Sequence, residues 1–204
     1  MGGLWEQIGK LQFEYLVKNG LKPQHFLLDI GCGCLRGGIH FIQYLQKGHY
    51  FGIDKDPFLL EGGKIELEEK NLGDKSSILK LNEYFDFFSQ NQKFEYALAQ
   101  SVFTHLPMSK IKKCIENVEK VLVNGGKFYA TFFENNSKDD TDEPLTIESV
   151  DGMTIETLPD KDPFHYRFSE FEKLVKNTHL HVKYIGDWNH PRHQKIMVFS
   201  KSIE

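Results

Sequence analysis

Very little in this 204-residue chain serves for covalent stapling or for crossing a membrane. Three cysteines, an odd and small number, do not make a disulfide framework, and they point to reduced thiols and a cytoplasmic location. No apolar run approaches the roughly 20 residues that a helical span requires. The opening stretch MGGLWEQIGKLQFEYL has charges scattered through it and no apolar signal core, so no export signal is read there. Gly2 does not begin a myristoylation motif, because position 6 is Glu6. An excess of positive charge is also missing. The net charge is −4, without the basic footprint of a nucleic-acid binder. The negative charge is local: from Glu134 to Asp162, ten acids stand against two bases. A solvated loop accounts for that stretch better than a cation-binding wall.

What the chain does have is a regular alternation of apolar runs and amphipathic stretches. Leu4, Trp5, Ile8, Leu11, Tyr15 and Leu16 recur at helical spacing, stopped by Asn19-Gly20. HFLLDI, HYFGID, SILKL, FEYALAQSVF and KFYATFF read as buried strands. Between them, IHFIQYL, residues 58–71 and SKIKKCIENVEKVLVNGG read as helices, the last ended by Gly125-Gly126. That rhythm predicts a doubly wound α/β domain: a Rossmann-like, mostly parallel sheet of seven strands with helices on both faces. After Phe133 the pattern changes. A polar loop leads to a hairpin turning near Asp151-Gly152, then to a helix capped by Ser169. HVKYIGDW and QKIMVFSK, joined by a short connection, are expected to pair antiparallel at the C-terminal end. There are no internal repeats and no linker, so residues 1–204 are read as one domain. It carries an N-terminal helical segment, 1–22, and an acidic loop and hairpin insertion, 134–167, placed as a lid.

The stretch LLDIGCGCLRGG, residues 27–38, closes the first strand with a run of glycines. Glycines at such a turn let backbone approach a ligand, and the helix that follows offers unpaired N–H groups. The dinucleotide pattern G-x-G-x-x-G would need glycine where Arg36 stands, and a phosphate-binding P-loop would need a Gly-Lys-Ser/Thr ending that is missing. Cys32 and Cys34 form a lone C-x-C pair, too few ligands for a structural zinc, and no metal is assigned. What the loop does offer is an acid two residues before its first glycine, Asp29. A second acid, Asp54, closes the next strand 21 residues after Gly33, where a carboxylate can accept both ribose hydroxyls of an adenosine.

With the acid-x-Gly-x-Gly loop, Asp54 in YFGIDKDP, FEYALAQSVFTHLP and VLVNGGKFYATFF in this order, the chain resembles the class I S-adenosylmethionine-dependent methyltransferases over residues 26–133. The family's usual third glycine falls at Leu35. GCGCLRGG looks like a variant loop, G-C-G-S-L-R-G-G, in which Gly37 and Gly38 provide close helix packing. The resemblance implies that Asp29 and the backbone of Gly31, Cys32 and Gly33 hold the methionine end of the cofactor, and Arg36 is counted among the cofactor-binding residues. It places the ribose on Asp54, the adenine beside Lys55 and Asn82, and the transferable methyl beside Gln100 and Ser101. Asn82 departs from the acid the family often carries there.

Outside those motifs, His105 in VFTHLP stands where the mouth of such a site is expected, as a base for an acceptor hydroxyl or as a fastener of the loop. Glu134 either orients the acceptor or begins the acidic loop. His165, Tyr166 and Arg167 in DPFHYRFS, with His190 and Arg192 in DWNHPRHQ, are candidates for gripping a polar acceptor or for organising the final hairpin. Displacement at a sulfonium neutralises its charge and needs alignment more than a nucleophilic side chain. The chain is therefore expected to methylate a small polar or sugar-like acceptor, on oxygen, as a monomer or homodimer without nucleic acid or membrane. The alternative is a regulatory or scaffold protein that binds the cofactor without turnover.

Overall fold

The computed structural model describes residues 4–87, 92–137 and 143–203. The chain opens with helix α1 (Trp5–Lys18), which buries Ile8, Gly9, Gln12 and Leu16. It ends as Asn19-Gly20 predicts. Gly20 takes φ +101°, and the N–H groups of Leu21 and Gly20 return to the carbonyls of Leu16 and Val17, a glycine-based stop. There follow β1 (Leu27–Ile30), α2 (Gly38–Tyr44), β2 (Tyr50–Asp54), α3 (Pro57–Glu69), β3 (Ile78–Leu81), β4 (Phe94–Ala99), α4 (Met108–Val121) and β5 (Leu122–Glu134). Asp56 caps α3 by accepting the N–H of Phe58 at 2.9 Å, with Pro57 in the first turn.

Beyond β5 come the hairpin β6 (Leu145–Glu148) and β7 (Thr154–Thr157), the short β8 (His165–Tyr166), α5 (Phe168–Val175), β9 (Leu180–Gly186) and β10 (Lys195–Lys201). The main sheet runs β3-β2-β1-β4-β5-β10-β9, with β8 attached beside the end of β5. The first five strands of that order are parallel, and β10 is antiparallel to both its neighbours. Strand residues alternate between two cores, as a sheet covered on both faces requires. Leu28, Ile30, Ile53, Ala97, Ala99 and Phe128 face α4 and α5. Leu27, Tyr50, Tyr96, Leu98 and Tyr129 face α1, α2 and α3. No described helix is long and apolar enough to cross a membrane.

Three boundaries differ from the sequence reading. Helix α4 stops at Val121, and Leu122 is already extended (ψ 141°). Gly125-Gly126 lies inside β5, where Phe94 faces Leu122 but Tyr96 faces Lys127; the glycines form a bulge that takes up the extra residues, Gly125 at φ +77°. Strand β4 ends at Ala99 rather than Phe103, because Ser101 turns to φ +58° and a 3-10 turn follows over Phe103–His105. The cap of α5 is Arg167, whose N–H donates to the Glu170 carboxylate at 2.8 Å, and Ser169 lies within the helix. The hairpin turns at Asp151-Gly152 as read, with Ser149 N–H on the Met153 carbonyl at 2.8 Å. Residues 138–142 of the acidic stretch lie outside the described residues.

Candidate active site

Strand order reverses between β1 and β4, and the loops leaving the carboxyl ends of these strands enclose a crevice, as in other open α/β sheets. The loop after β1 is pinned to the neighbouring strand by the N–H groups of Gly31 and Cys32, which both donate to the Ile53 carbonyl (2.8 and 3.0 Å). Gly31 has φ +70°, and a Cβ there would lie 2.5 Å from Val102 Cγ2; Gly33, at φ +54°, opens onto empty space. The N–H of Gly33 donates to Asp54 Oδ2 at 2.9 Å, and that of Asp56 to Asp54 Oδ1 at 2.9 Å. One carboxylate thus ties the two loops together and keeps lone pairs for a ligand.

Leu35 explains itself in this setting. Its φ is +67°, the left-handed conformation a glycine would adopt without cost, while its side chain is fully buried. A Cβ on Gly38 would lie 2.6 Å from Leu35 Cδ2 and 2.6 Å from the Tyr50 hydroxyl, and one on Gly63 3.0 Å from Leu35 Cγ. The glycines that surround Leu35 make room for it. Left-handed backbone costs about 1–2 kcal/mol in a non-glycine residue, less than the roughly 2–5 kcal/mol lost when a buried leucine becomes alanine. Thermal melts are therefore expected to rank wild type above Leu35→Gly and Leu35→Gly above Leu35→Ala. Alanine keeps the strain and loses the packing. An alanine variant more stable than the glycine variant would contradict this.

The buried acid of β1, Asp29, accepts a hydrogen bond from the Tyr50 hydroxyl at 2.6 Å. Burial pushes its carboxyl up to about 7; the Tyr50 bond opposes that shift and the charge of Asp54 adds to it. Around these groups lies a cavity of about 530 Å³, within the usual range for small-molecule sites. Asp29, Gly31, Cys32, Gly33, Arg36 and Asp54 line one side, and Lys55 and Asn82 continue it past β2. Asn82 Nδ2 donates to the Asp86 carbonyl at 2.8 Å, so its amide oxygen is left as an acceptor. Trp5, Ile8 and Gln12 of α1 form a wall. The helix is seated on the loop: a Cβ on Gly9 would lie 2.3 Å from the Arg36 carbonyl, and one on Gly37 2.3 Å from the Gln12 carboxamide. The Arg36 guanidinium lies 5.5 Å from the centre of the Trp5 ring, its pKa lowered by burial and by Arg192.

Gln100 and Ser101, just past β4, close the far end of the cavity. They are braced from behind by the loop between β9 and β10. Gln194 Oε1 accepts the hydroxyls of Thr131 (2.8 Å) and Ser101 (3.0 Å), and His190 Nε2 lies 3.1 Å from the Gln100 carboxamide. Burial, then Arg192, Arg36 and His193, push His190 down to about 3, so it is neutral. His105 also lines the cavity, and its Nδ1 is 2.6 Å from Asp162 Oδ1, another lining residue.

Several sequence candidates stand elsewhere. Glu134 does not line the cavity; its carboxylate accepts the Tyr184 hydroxyl at 2.5 Å. His165 and Tyr166 are buried behind the site: Thr157 Oγ1 meets His165 Nδ1 at 2.9 Å, and the Tyr166 hydroxyl donates to the Leu106 carbonyl at 2.6 Å. Arg167 caps α5. His190 and Arg192 reach the site indirectly, through Gln100 and Arg36. Conversely, Asp162 and Gln194 belong to the site and carried no local signal. Burial pushes up the thiols of Cys32 and Cys34, and among the described residues no group of three His, Cys, Asp or Glu side chains is placed to hold a metal.

Residues 28–128, the stretch from β1 to early β5, match the model of a methyltransferase domain. Among solved structures the chain is similar to magnesium protoporphyrin IX methyltransferase from Synechocystis PCC 6803 with bound S-adenosylmethionine, at 12% identity and a TM-score of 0.68, over 99% of this chain and 86% of that one. It is similar to a glycopeptide N-methyltransferase complexed with S-adenosylhomocysteine, at 12% identity and a TM-score of 0.68, over 95% and 90% of the two chains. A putative rRNA methylase from Clostridium thermocellum aligns at 14% identity and a TM-score of 0.65, over 96% of each chain. At such identities these structures share the fold. The matched stretch is the one that builds the crevice, and the fold around it is shared with methyltransferases whose structures hold S-adenosylmethionine or S-adenosylhomocysteine.

Proposed function

We propose that the chain transfers a methyl group from S-adenosylmethionine to a hydroxyl of a small polar or sugar-like acceptor. The observation that carries the oxygen assignment is His105: an imidazole with one ring nitrogen engaged and the other left over, on the cavity wall five residues after Gln100. The residues fit the cofactor. Asp54 has both oxygens fixed by backbone N–H groups and lone pairs to spare for ribose hydroxyls. Asn82 keeps an acceptor for the adenine amino group, with Lys55 beside it. Asp29 takes the methionine ammonium, and Arg36, on its Trp5 platform, the carboxylate. When bound there, the cofactor supplies an electrophilic methyl on a sulfonium.

This chain's residues then align and deprotonate. Gln100 and Ser101, braced by Gln194, hold the acceptor end of the cavity in shape. His105 takes the hydroxyl proton, worth typically 10²–10⁴-fold. The insertion 134–167 acts as the lid over that end, its tip tied down where Val150 N–H and Ser149 Oγ both donate to the Pro191 carbonyl (2.9 and 3.1 Å). The mild net charge of −4 and the acidic insertion favour a small molecule or glycan over a nucleic acid.

Titration calorimetry with S-adenosylhomocysteine tests the cofactor site; no binding at millimolar ligand sinks it. Tritiated methyl transfer to a panel of monosaccharides, glycosides, phenols and amines then tests the acceptor. Transfer to amines alone overturns the oxygen assignment, and binding with no transfer leaves a non-catalytic binder. Affinity is also expected to follow the Asp29 carboxyl. With its pKa raised to about 7, the carboxylate that pairs with the ammonium is lost as pH falls through 7. Binding at pH 6 is expected to be about tenfold weaker than at pH 8. In the unliganded protein the sign reverses. The raised pKa contributes stability that is present below the unfolded value and is lost as pH rises through about 7. Asp29→Asn is expected to flatten both dependences, and a pH-independent wild-type affinity between 6 and 8 would refute the assignment.

A further inference from the structure

The insertion does more than cover the cavity. Its returning arm runs beside the 3-10 turn that carries His105 and is bonded to that turn on both sides of the histidine. Phe164 N–H donates to the Thr104 carbonyl at 2.7 Å, and the Tyr166 hydroxyl donates to the Leu106 carbonyl at 2.6 Å. Between these two ties stands the contact of Asp162 Oδ1 with His105 Nδ1 at 2.6 Å. The arm is itself closed: Leu158 N–H donates to the Pro163 carbonyl at 2.8 Å, and His165 N–H to the Leu158 carbonyl at 3.1 Å. Asp162 therefore sits on a short closed loop whose next residues are fastened to the backbone on either side of His105.

We propose that Asp162 is the positioning residue for His105 in methyl transfer, so that the insertion completes the catalytic base as well as covering it. This rests on the oxygen-methylating reading above. A carboxylate only accepts hydrogen bonds, so the proton of the neutral imidazole resides on Nδ1, and Nε2 presents its lone pair. In the reaction the acceptor oxygen forms a bond to the methyl carbon while the carbon–sulfur bond breaks, its electron pair passing to sulfur. The hydroxyl proton moves to Nε2. The imidazolium so formed is held against the Asp162 carboxylate and gives its proton to solvent, which reaches both side chains.

Both partners of the contact are 55% exposed, and ion pairs so exposed add little to stability. The contact is worth its orientation and tautomer. Removing it is expected to change the ring's protonation pattern and leave the fold in place. Without Asp162, neither ring nitrogen has a described partner that fixes the proton.

The test is long-range ¹H–¹⁵N spectroscopy of the histidine side chains in the full chain saturated with S-adenosylhomocysteine, with the His105 signals identified by their loss in His105→Gln. Wild type is expected to carry its ring proton on Nδ1. Asp162→Ala is expected to move the population toward Nε2–H, and Asp162→Glu to restore the wild-type pattern. S-adenosylhomocysteine affinity in Asp162→Ala should stay within about twofold of wild type, because the described contact of the Asp162 carboxylate is an exposed ion pair with His105 and not a bond to a residue assigned to the cofactor. With a hydroxyl acceptor found in the panel, kcat in Asp162→Ala is expected to fall at least about tenfold with KM little changed. Wild-type His105 protonated on Nε2, or an unchanged tautomer in Asp162→Ala, overturns the proposal. Should the alanine variant fail to fold, Asp162→Leu, which also offers no acceptor, gives the same readout. Wild type that fails to bind S-adenosylhomocysteine overturns the cofactor reading, while the tautomer measurement on the ligand-free chain still decides the role of Asp162.

Discussion

Replacing Asp54 with alanine is expected to weaken S-adenosylhomocysteine binding by at least about 100-fold, since hydrogen bonds to a charged group contribute roughly 1.5–3 kcal/mol each. Two losses combine. The ribose hydroxyls lose their acceptor, and the N–H groups of Gly33 and Asp56 lose the carboxylate that joins the two loops. Asp54→Asn separates these effects. Its single amide oxygen can serve Gly33 or Asp56 but not both, so its affinity should fall between wild type and alanine. Calorimetry on the three proteins is the check, and an alanine variant within about threefold of wild type would remove Asp54 from the site.

The second large effect is on turnover. His105→Ala is expected to lower kcat by about 10²–10⁴-fold against a hydroxyl acceptor, with S-adenosylhomocysteine affinity unchanged. His105 is on the turn after β4, and none of the residues assigned to the cofactor is its described partner. The loss should be smallest at high pH, where an acidic acceptor ionises without help. A kcat within twofold of wild type at neutral pH would mean that the acceptor arrives as an anion and that His105 only fastens its loop.

How far these residues could be read from sequence depended on how local their partnerships are. The inner parallel strands β1, β2, β4 and β5 are largely buried on both faces and stand out as apolar runs, whereas β3, at the sheet edge, is half-exposed. Asp29, Gly31, Gly33 and Asp54 belong to one strand–helix–strand unit, so their spacing along the chain already constrains their spacing in space. Gly125-Gly126 misled because a glycine pair after an amphipathic run reads as a helix stop, and only the pairing of β4 with β5 reveals a bulge. DPFHYRFS misled in another way. Aromatic and basic residues after a polar loop suggest an exposed grip, yet His165 and Tyr166 turn inward to meet Thr157 and Leu106. Asp162 and Gln194 were invisible because their partners lie 57 and 93 residues away, at His105 and Ser101. Such meetings are set by sheet order and by the path of an insertion, which no local period records.

The sheet order also sets a schedule. Strand β9 is paired with β10 and not with β5, so it joins the sheet through a strand that follows it in the chain. During synthesis the half of the crevice built from α1 through β4 leaves the ribosome while the chain is still growing. The bracing of Gln100 and Ser101 by His190 and Gln194 must wait until β10 slots in beside β5. On the assignment proposed above, the residues for the methyl donor are thus all synthesised before the loop that braces Gln100 and Ser101.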